Sequence, residues 1–109
     1  MSGQPETGQQ PDEPRYTLRL FVTGATPHSM RAVQNINKIC DHYLKGRFDL
    51  EIIDVYQQPE LAVAEQIIAA PTLIKVTPHP TRRLIGDLSN IGKVVGALGL
   101  EQQGEDKVY

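Results

Sequence analysis

The sequence predicts an α/β domain built around a mixed β-sheet, and three observations carry that prediction. Residues 16–23, YTLRLFVT, alternate and then become continuously apolar at Leu20-Phe21-Val22, as a strand buried on both faces does. Residues 48–55, FDLEIIDV, form a second such run, and a long amphipathic stretch separates the two. Strand, helix and strand make a βαβ unit, whose strands run parallel with a right-handed crossover. Residues 72–76 and 81–85 then flank a proline-rich turn and read as an antiparallel pair.

Each element has a local reason. Gly24-Ala25 forms the exit turn of the first strand. Thr26 is placed to cap the first helix, and Pro27 suits its first position, where a missing N–H costs nothing. The helix is predicted to reach about Leu44, with Val33, Ile36, Cys40 and Tyr43 as its stripe, Ile39 and Leu44 beside them, and Gly46 as its stop. In the second strand Phe48, Leu50 and Ile52 face one way, and Ile53 and Val55 the other.

Pro59 is predicted to open a second helix over residues 59–68, with Glu60 in its first turn and Leu61, Ala64 and Ile68 as a weak stripe. Residues 66–74, QIIAAPTLI, suit a strand equally well. Ser89 is the expected cap of a last helix presenting Ile91, Val94, Val95 and Leu98. That helix is diluted by Gly92, Gly96 and Gly99, at about 1 kcal/mol per interior glycine. The order β-α-β-α-β-β-α is that of the thioredoxin architecture, with helices on both faces of a four-stranded mixed sheet. Pro71, directly before the third strand, stands where that fold holds a cis-proline.

Composition bounds the chemistry. The 109 residues carry a net charge of −2. Residues 1–14 and 101–109 are polar and acidic and are expected to be disordered tails, leaving residues 15–100 as the folding unit. The tails hold −3 and −2, so the folding unit holds +3. No basic run interleaved with aromatics argues for nucleic acid. No apolar stretch approaches the roughly 20 residues that span a bilayer, and no signal-peptide pattern opens the chain, so a cytoplasmic protein is expected. A single cysteine excludes an internal disulfide and fits a reducing compartment.

Catalytic constellations are missing from the sequence. A thiol oxidoreductase of this fold needs Cys-x-x-Cys at the start of the first helix. The equivalent stretch is Gly24-Ala25-Thr26-Pro27-His28-Ser29. Cys40 lies inside the helix on its apolar stripe and reads as a core thiol. His28, His42 and His79 lack metal-ligand spacing, and helix-start polarity explains His28 beside Ser29. Neither GxxxxGK[ST] nor GxGxxG is present. Asp41, Asp49, Asp54 and Asp87 form no carboxylate pair. No catalytic residue, metal or cofactor is expected.

Four motifs occur in order: the strand leading into Gly-x-Thr-Pro-x-Ser, the Ile-Asp-Val strand end, Ala-Pro-Thr-Leu, and Arg-Arg-x-Ile-Gly-Asp-Leu-Ser. Together, from about Tyr16 to Leu100, they closely resemble the KaiB family of circadian clock proteins of cyanobacteria. The resemblance implies a non-enzymatic protein that binds the N-terminal ATPase ring of the clock kinase KaiC, captures KaiA and displaces a histidine kinase with a thioredoxin-like sensory domain. It also implies a metamorphic chain: a ground state, tetrameric or dimeric, with a rearranged second half, and a thioredoxin-like monomer that binds the partner.

By the same resemblance Arg31, Lys75, Arg82 and Arg83 lie on or near the partner-binding surface. Pro71, Pro78, Pro80, Gly86 and Asp87 belong to the switching segment. The residues themselves bear on this, since residues 66–74 suit two structures and three prolines within ten residues offer isomer choices. The chain departs from the clock-type pattern at His79, at Glu51 in place of a common lysine, at Gly99 and in its long N-terminal tail. Those departures suggest a divergent paralogue with a KaiC-type partner of its own. The alternative is a thioredoxin-like interaction or sensory module in histidine-kinase or stress signalling.

Overall fold

The computed structural model describes residues 15–100. The two predicted tails lie outside the described residues. Seven elements follow in the expected order: β1 Tyr16–Val22, α1 Pro27–Tyr43, β2 Phe48–Asp54, α2 Pro59–Ala64, β3 Thr72–Thr77, β4 Arg82–Ile85 and α3 Ile91–Leu98. The sheet order is β2-β1-β3-β4. β1 and β2 are parallel, with Leu18 opposite Leu50 and Leu20 opposite Ile52. β3 runs antiparallel to β1, and β4 antiparallel to β3. The described packing is thus the thioredoxin-like one.

Alternation along β1 divides the core between the two faces of the sheet. Tyr16, Leu18, Leu20 and Val22 join Ala32, Ile36, Ile39 and Cys40 of α1 and Val94, Val95 and Leu98 of α3. On the opposite face Phe21, Ile53 and Ile74 form a smaller cluster, flanked by Val55, Leu61, Ile67 and Val76. The two-way split expected for β2 is found, with Phe48 and Leu50 against the larger cluster and Ile53 and Val55 in the smaller.

The Thr26 hydroxyl caps α1 by accepting from the Ser29 N–H at 3.3 Å, with Pro27 in the first turn. The buried stripe is rotated from the expected one: Ser29, Ala32, Ile36, Ile39 and Cys40 are buried, whereas Val33 and Tyr43 are its flanks. Ser29 can be buried because its hydroxyl accepts from the Thr23 N–H at 3.0 Å, satisfying the polar group.

Two boundaries depart from expectation. α2 stops at Ala64, four residues before the predicted end, and Ile68 is 90% exposed. The stop is a Schellman ending: Gln66 N–H donates to the Val63 carbonyl at 3.0 Å and Ile67 N–H to the Ala62 carbonyl at 2.9 Å. Gln66 occupies the left-handed residue of that motif, at φ +57°. α3 is capped by Asn90, whose side chain accepts from Lys93 N–H at 3.1 Å, and not by Ser89. The Ser89 N–H donates to the Asp87 carboxylate at 3.1 Å in an Asx-type turn, and the helix begins one residue later than expected.

Candidate docking surface

The four basic residues singled out from the sequence do not form one patch. Arg82 and Arg83 are neighbours on β4, so their side chains take opposite faces of the sheet. Arg82 stands opposite Lys75, and Lys75 opposite Leu18, which belongs to the α1/α3 cluster. Arg83 stands opposite Ile74, on the α2 face. Arg31 is on α1 and is exposed.

Lys75 is 5% exposed, deeper than a surface contact residue was expected to be. Burial, then the neighbouring positive charge of Arg82, holds its ammonium below its ordinary pKa. Neither Lys75 nor exposed Arg82 has an ion pair or hydrogen bond among the described residues. Like charges directly opposite on a sheet destabilise it, so this pair is uncompensated within the described fold.

Arg83 is engaged internally. Its guanidinium donates to the main-chain carbonyls of Glu65 and of Gln66, the latter at 3.5 Å, and lies 3.8 Å from the Glu65 carboxylate. Arg31 is also paired: its Nε lies 3.1 Å from Asp87 Oδ2. Asn35 of α1 donates to the Asp87 carbonyl at 2.8 Å. Hydrogen bonds from Ser89, then Arg31, hold the Asp87 carboxyl below its ordinary pKa. Asp87 therefore ties the β4–α3 loop to α1.

The residues assigned to a switching segment lie at three corners. Pro71 is buried at the start of β3; its peptide bond with Ala70 is cis, and its carbonyl accepts from Gly86 N–H at 2.9 Å. Pro78 and Pro80, also cis, form the β3–β4 turn. Gly86 at φ +121° and Leu88 at φ +65° shape the β4–α3 loop. Leu88 is buried, a non-glycine in the left-handed region that nothing in the sequence flagged. The sequence also missed Arg19, Glu51 and Glu65 as polar anchors of the α2 face.

Thiol chemistry has no accessible group. Cys40 is buried, and burial, then Asp41, pushes its thiol up to about 12. Among the described residues no cluster of three or more His, Cys, Asp or Glu is placed to hold a metal ion, and no helix is long and apolar enough to cross a membrane. Beside α2, an open cavity of about 270 Å³ is lined by Thr23, Val55, Ala62, Ile67, Ala69 and others. Exposed Val63 belongs to α2, and exposed Tyr56 and Ile68 to the connections on either side of that helix.

The KaiB domain family model matches residues 19–100. The chain is 49% identical over 85 residues to the circadian clock oscillator protein KaiB of Thermostichus vulcanus, covering 78% of this chain and 79% of that protein. It is 44% identical over 93 residues to the circadian clock protein KaiB3 of Synechocystis sp., covering 85% and 91%. Among solved structures it is similar to the N-terminal domain of Synechococcus elongatus SasA, with TM-score 0.66 and 25% identity over 94% of this chain and 97% of that one. Chloroplastic thioredoxin z, at TM-score 0.65 and 20% identity over 81% and 80%, shares the fold. With a thioredoxin-like sheet, no thiol pair at the start of α1 and the family's motifs at the corners described above, this chain belongs to the KaiB family of circadian clock proteins.

Proposed function

We propose that this chain is a non-enzymatic regulator that docks on the ATPase ring of a KaiC-type clock kinase and modulates its phosphorylation state, sequestering KaiA where it serves a clock. The observation that carries the reading is the uncompensated Lys75–Arg82 pair, with Arg82 exposed on edge strand β4. Two cations side by side without a counter-ion in the described fold suit an acidic group supplied by a partner. The inert Cys40 supports a binding role over a redox one. Residues 71–89 act as the switching segment between this packing and a self-associated ground state, a tetramer or dimer, in the cytoplasm.

Co-elution of the full chain with a KaiC-type ATPase, in ATP and in ADP, tests the reading. The wild type forms a complex. Arg82→Ala weakens it on the order of tenfold or more, the scale of a charge-assisted hydrogen bond. Absence of any complex in either nucleotide overturns the proposal. A second reading, a thioredoxin-like interaction module in histidine-kinase or stress signalling, draws on the likeness to the SasA N-terminal domain. Complex formation with a kinase sensor partner and with no KaiC-type ATPase favours it.

A further inference from the structure

One transverse row of the sheet carries charge on the α2 face. Glu51 of β2 stands opposite Arg19 of β1, Arg19 opposite Ile74 of β3, and Ile74 opposite Arg83 of β4. Arg19 lies 3.3 Å from the Glu51 carboxylate and 3.3 Å from that of Glu65, the residue that closes α2. Glu65 in turn meets Arg83, so acid and base alternate from Glu51 through Arg19 and Glu65 to Arg83, with Glu65 supplied by the end of α2 beside the apolar β3 position. Glu65 thereby bridges two cations over Ile74, which is buried in the smaller core cluster.

The row meets the unusual end of α2. α3 ends in the same Schellman pattern as α2, with Gly99 N–H donating to the Gly96 carbonyl and Leu100 N–H to the Val95 carbonyl. There the left-handed residue is Gly99, which has no Cβ to clash. In α2 it is Gln66, which does. α2 buries no residue fully, and Gln58 before it makes no side-chain cap bond, so the helix is weakly held outside its C-terminal turn. Arg83 reaches the carbonyls of both Glu65 and Gln66 at that end.

We infer that Glu51, Arg19, Glu65 and Arg83 form a latch that fixes where α2 ends and holds the α2–β3 connection against the sheet. With the latch closed, Gln66 is kept left-handed and Ile68 is left outside. With it open, the turn at residues 65–67 frays, and the Gln66 and Ile67 amides leave the Val63 and Ala62 carbonyls part of the time. The latch also links two surfaces. An acidic partner group that takes Arg83 on β4 competes with Glu65, so docking at that edge loosens the end of α2 beside the apolar cavity. This coupling rests on the docking reading above; the latch itself does not.

Amide hydrogen exchange on the full chain, read by NMR, tests the latch. In Glu65→Gln and in Arg83→Met the Gln66 and Ile67 amides should exchange at least tenfold faster, with those of Leu18 and Leu20 within twofold of wild type. Gln66→Gly, which relieves the left-handed strain, should restore protection in the Arg83→Met background. Should either variant fail to fold, raising salt to about 1 M on the wild type supplies the same readout, because it screens exposed pairs. Unchanged Gln66 and Ile67 amides in both variants, or equal acceleration at every amide, overturn the latch. Selective acceleration with no effect of an acidic KaiC-type partner on these amides keeps the latch and discards its coupling to docking.

Discussion

The halves of this domain are held by different means. In β1-α1-β2 the long helix lays Ala32, Ile36, Ile39 and Cys40 on Leu18 and Leu20, and a threonine cap sets its start. In the second half β3 and α3 are anchored apolarly, but the pieces joining them are held more thinly. α2 buries no residue, and the β4–α3 loop is held by one buried side chain, Leu88, and by Asp87 through its contacts with Arg31, Asn35 and Ser89. Burial of a leucine is worth several kcal/mol, whereas a polar contact nets about 1 kcal/mol. The first half is therefore specified more firmly than the joints of the second, which rest on fewer buried side chains and more polar contacts.

The largest expected effect is in the first half. Leu20→Ala, at a fully buried position of the central strand, should cost about 3–4 kcal/mol, within the range for buried leucine truncation. Leu61→Ala, on half-buried α2, should cost only about 1 kcal/mol. Urea unfolding followed by circular dichroism measures both. Equal losses would erase the contrast between the halves.

Sequence reasoning read the halves with matching success. Strand alternation, Thr26-Pro27 and the position of Pro71 are local signals, and local rules decide those elements. The end of α2 was misread because no glycine marks it: Gln66 takes a glycine's place and is supported by Arg83, seventeen residues away in sequence. The α3 cap was misread by one residue because Ser89 and Asn90 are adjacent and both are good N-caps; the helix starts at Ile91, which makes Asn90 the cap. Arg83 looked like a surface cation because its partner, Glu65, lies at the end of α2 and meets it only through the packing of α2 on the sheet. Long-range polar pairing is set by register, and one residue of slip changes every partner.

A middle-sized effect sharpens the view of the β4–α3 loop. Asn35→Ala leaves the Asp87 carbonyl without its donor and should cost about 1 kcal/mol, leaving β1 amides protected. Asp87 adds a pH signature. Its folded pKa is depressed, so the unfolded chain takes the proton more readily. Its contribution is present above the ordinary carboxylate value of about 4 and is lost as pH falls through the folded value. Asp87→Asn should therefore lower the melting temperature near pH 6, and the gap to wild type should narrow as pH falls below the ordinary carboxylate value of about 4. A gap that stays constant with pH would mean that the Asp87 charge is not what holds the loop.

The smallest expected change in stability is at Lys75, and its sign is the informative part. Lys75 is only 5% exposed, beside fully buried Leu18 and Leu73, yet its charge stands opposite Arg82 and finds no acid in the described fold. A residue kept for stability would not be built this way, because a leucine or methionine there removes both the desolvation and the repulsion. Its folded pKa is depressed, so the folded protein holds this proton less tightly than the unfolded chain does. The residue's contribution to stability therefore improves as pH rises through the folded value toward the ordinary 10.5. Lys75→Met should raise stability at neutral pH by up to about 1 kcal/mol and abolish that alkaline gain. If Lys75 and Arg82 form the docking edge, the same substitution weakens the complex with a KaiC-type ATPase while the fold becomes firmer. A less stable Lys75→Met with undiminished binding would show instead that the lysine is structural and that Arg82 acts alone.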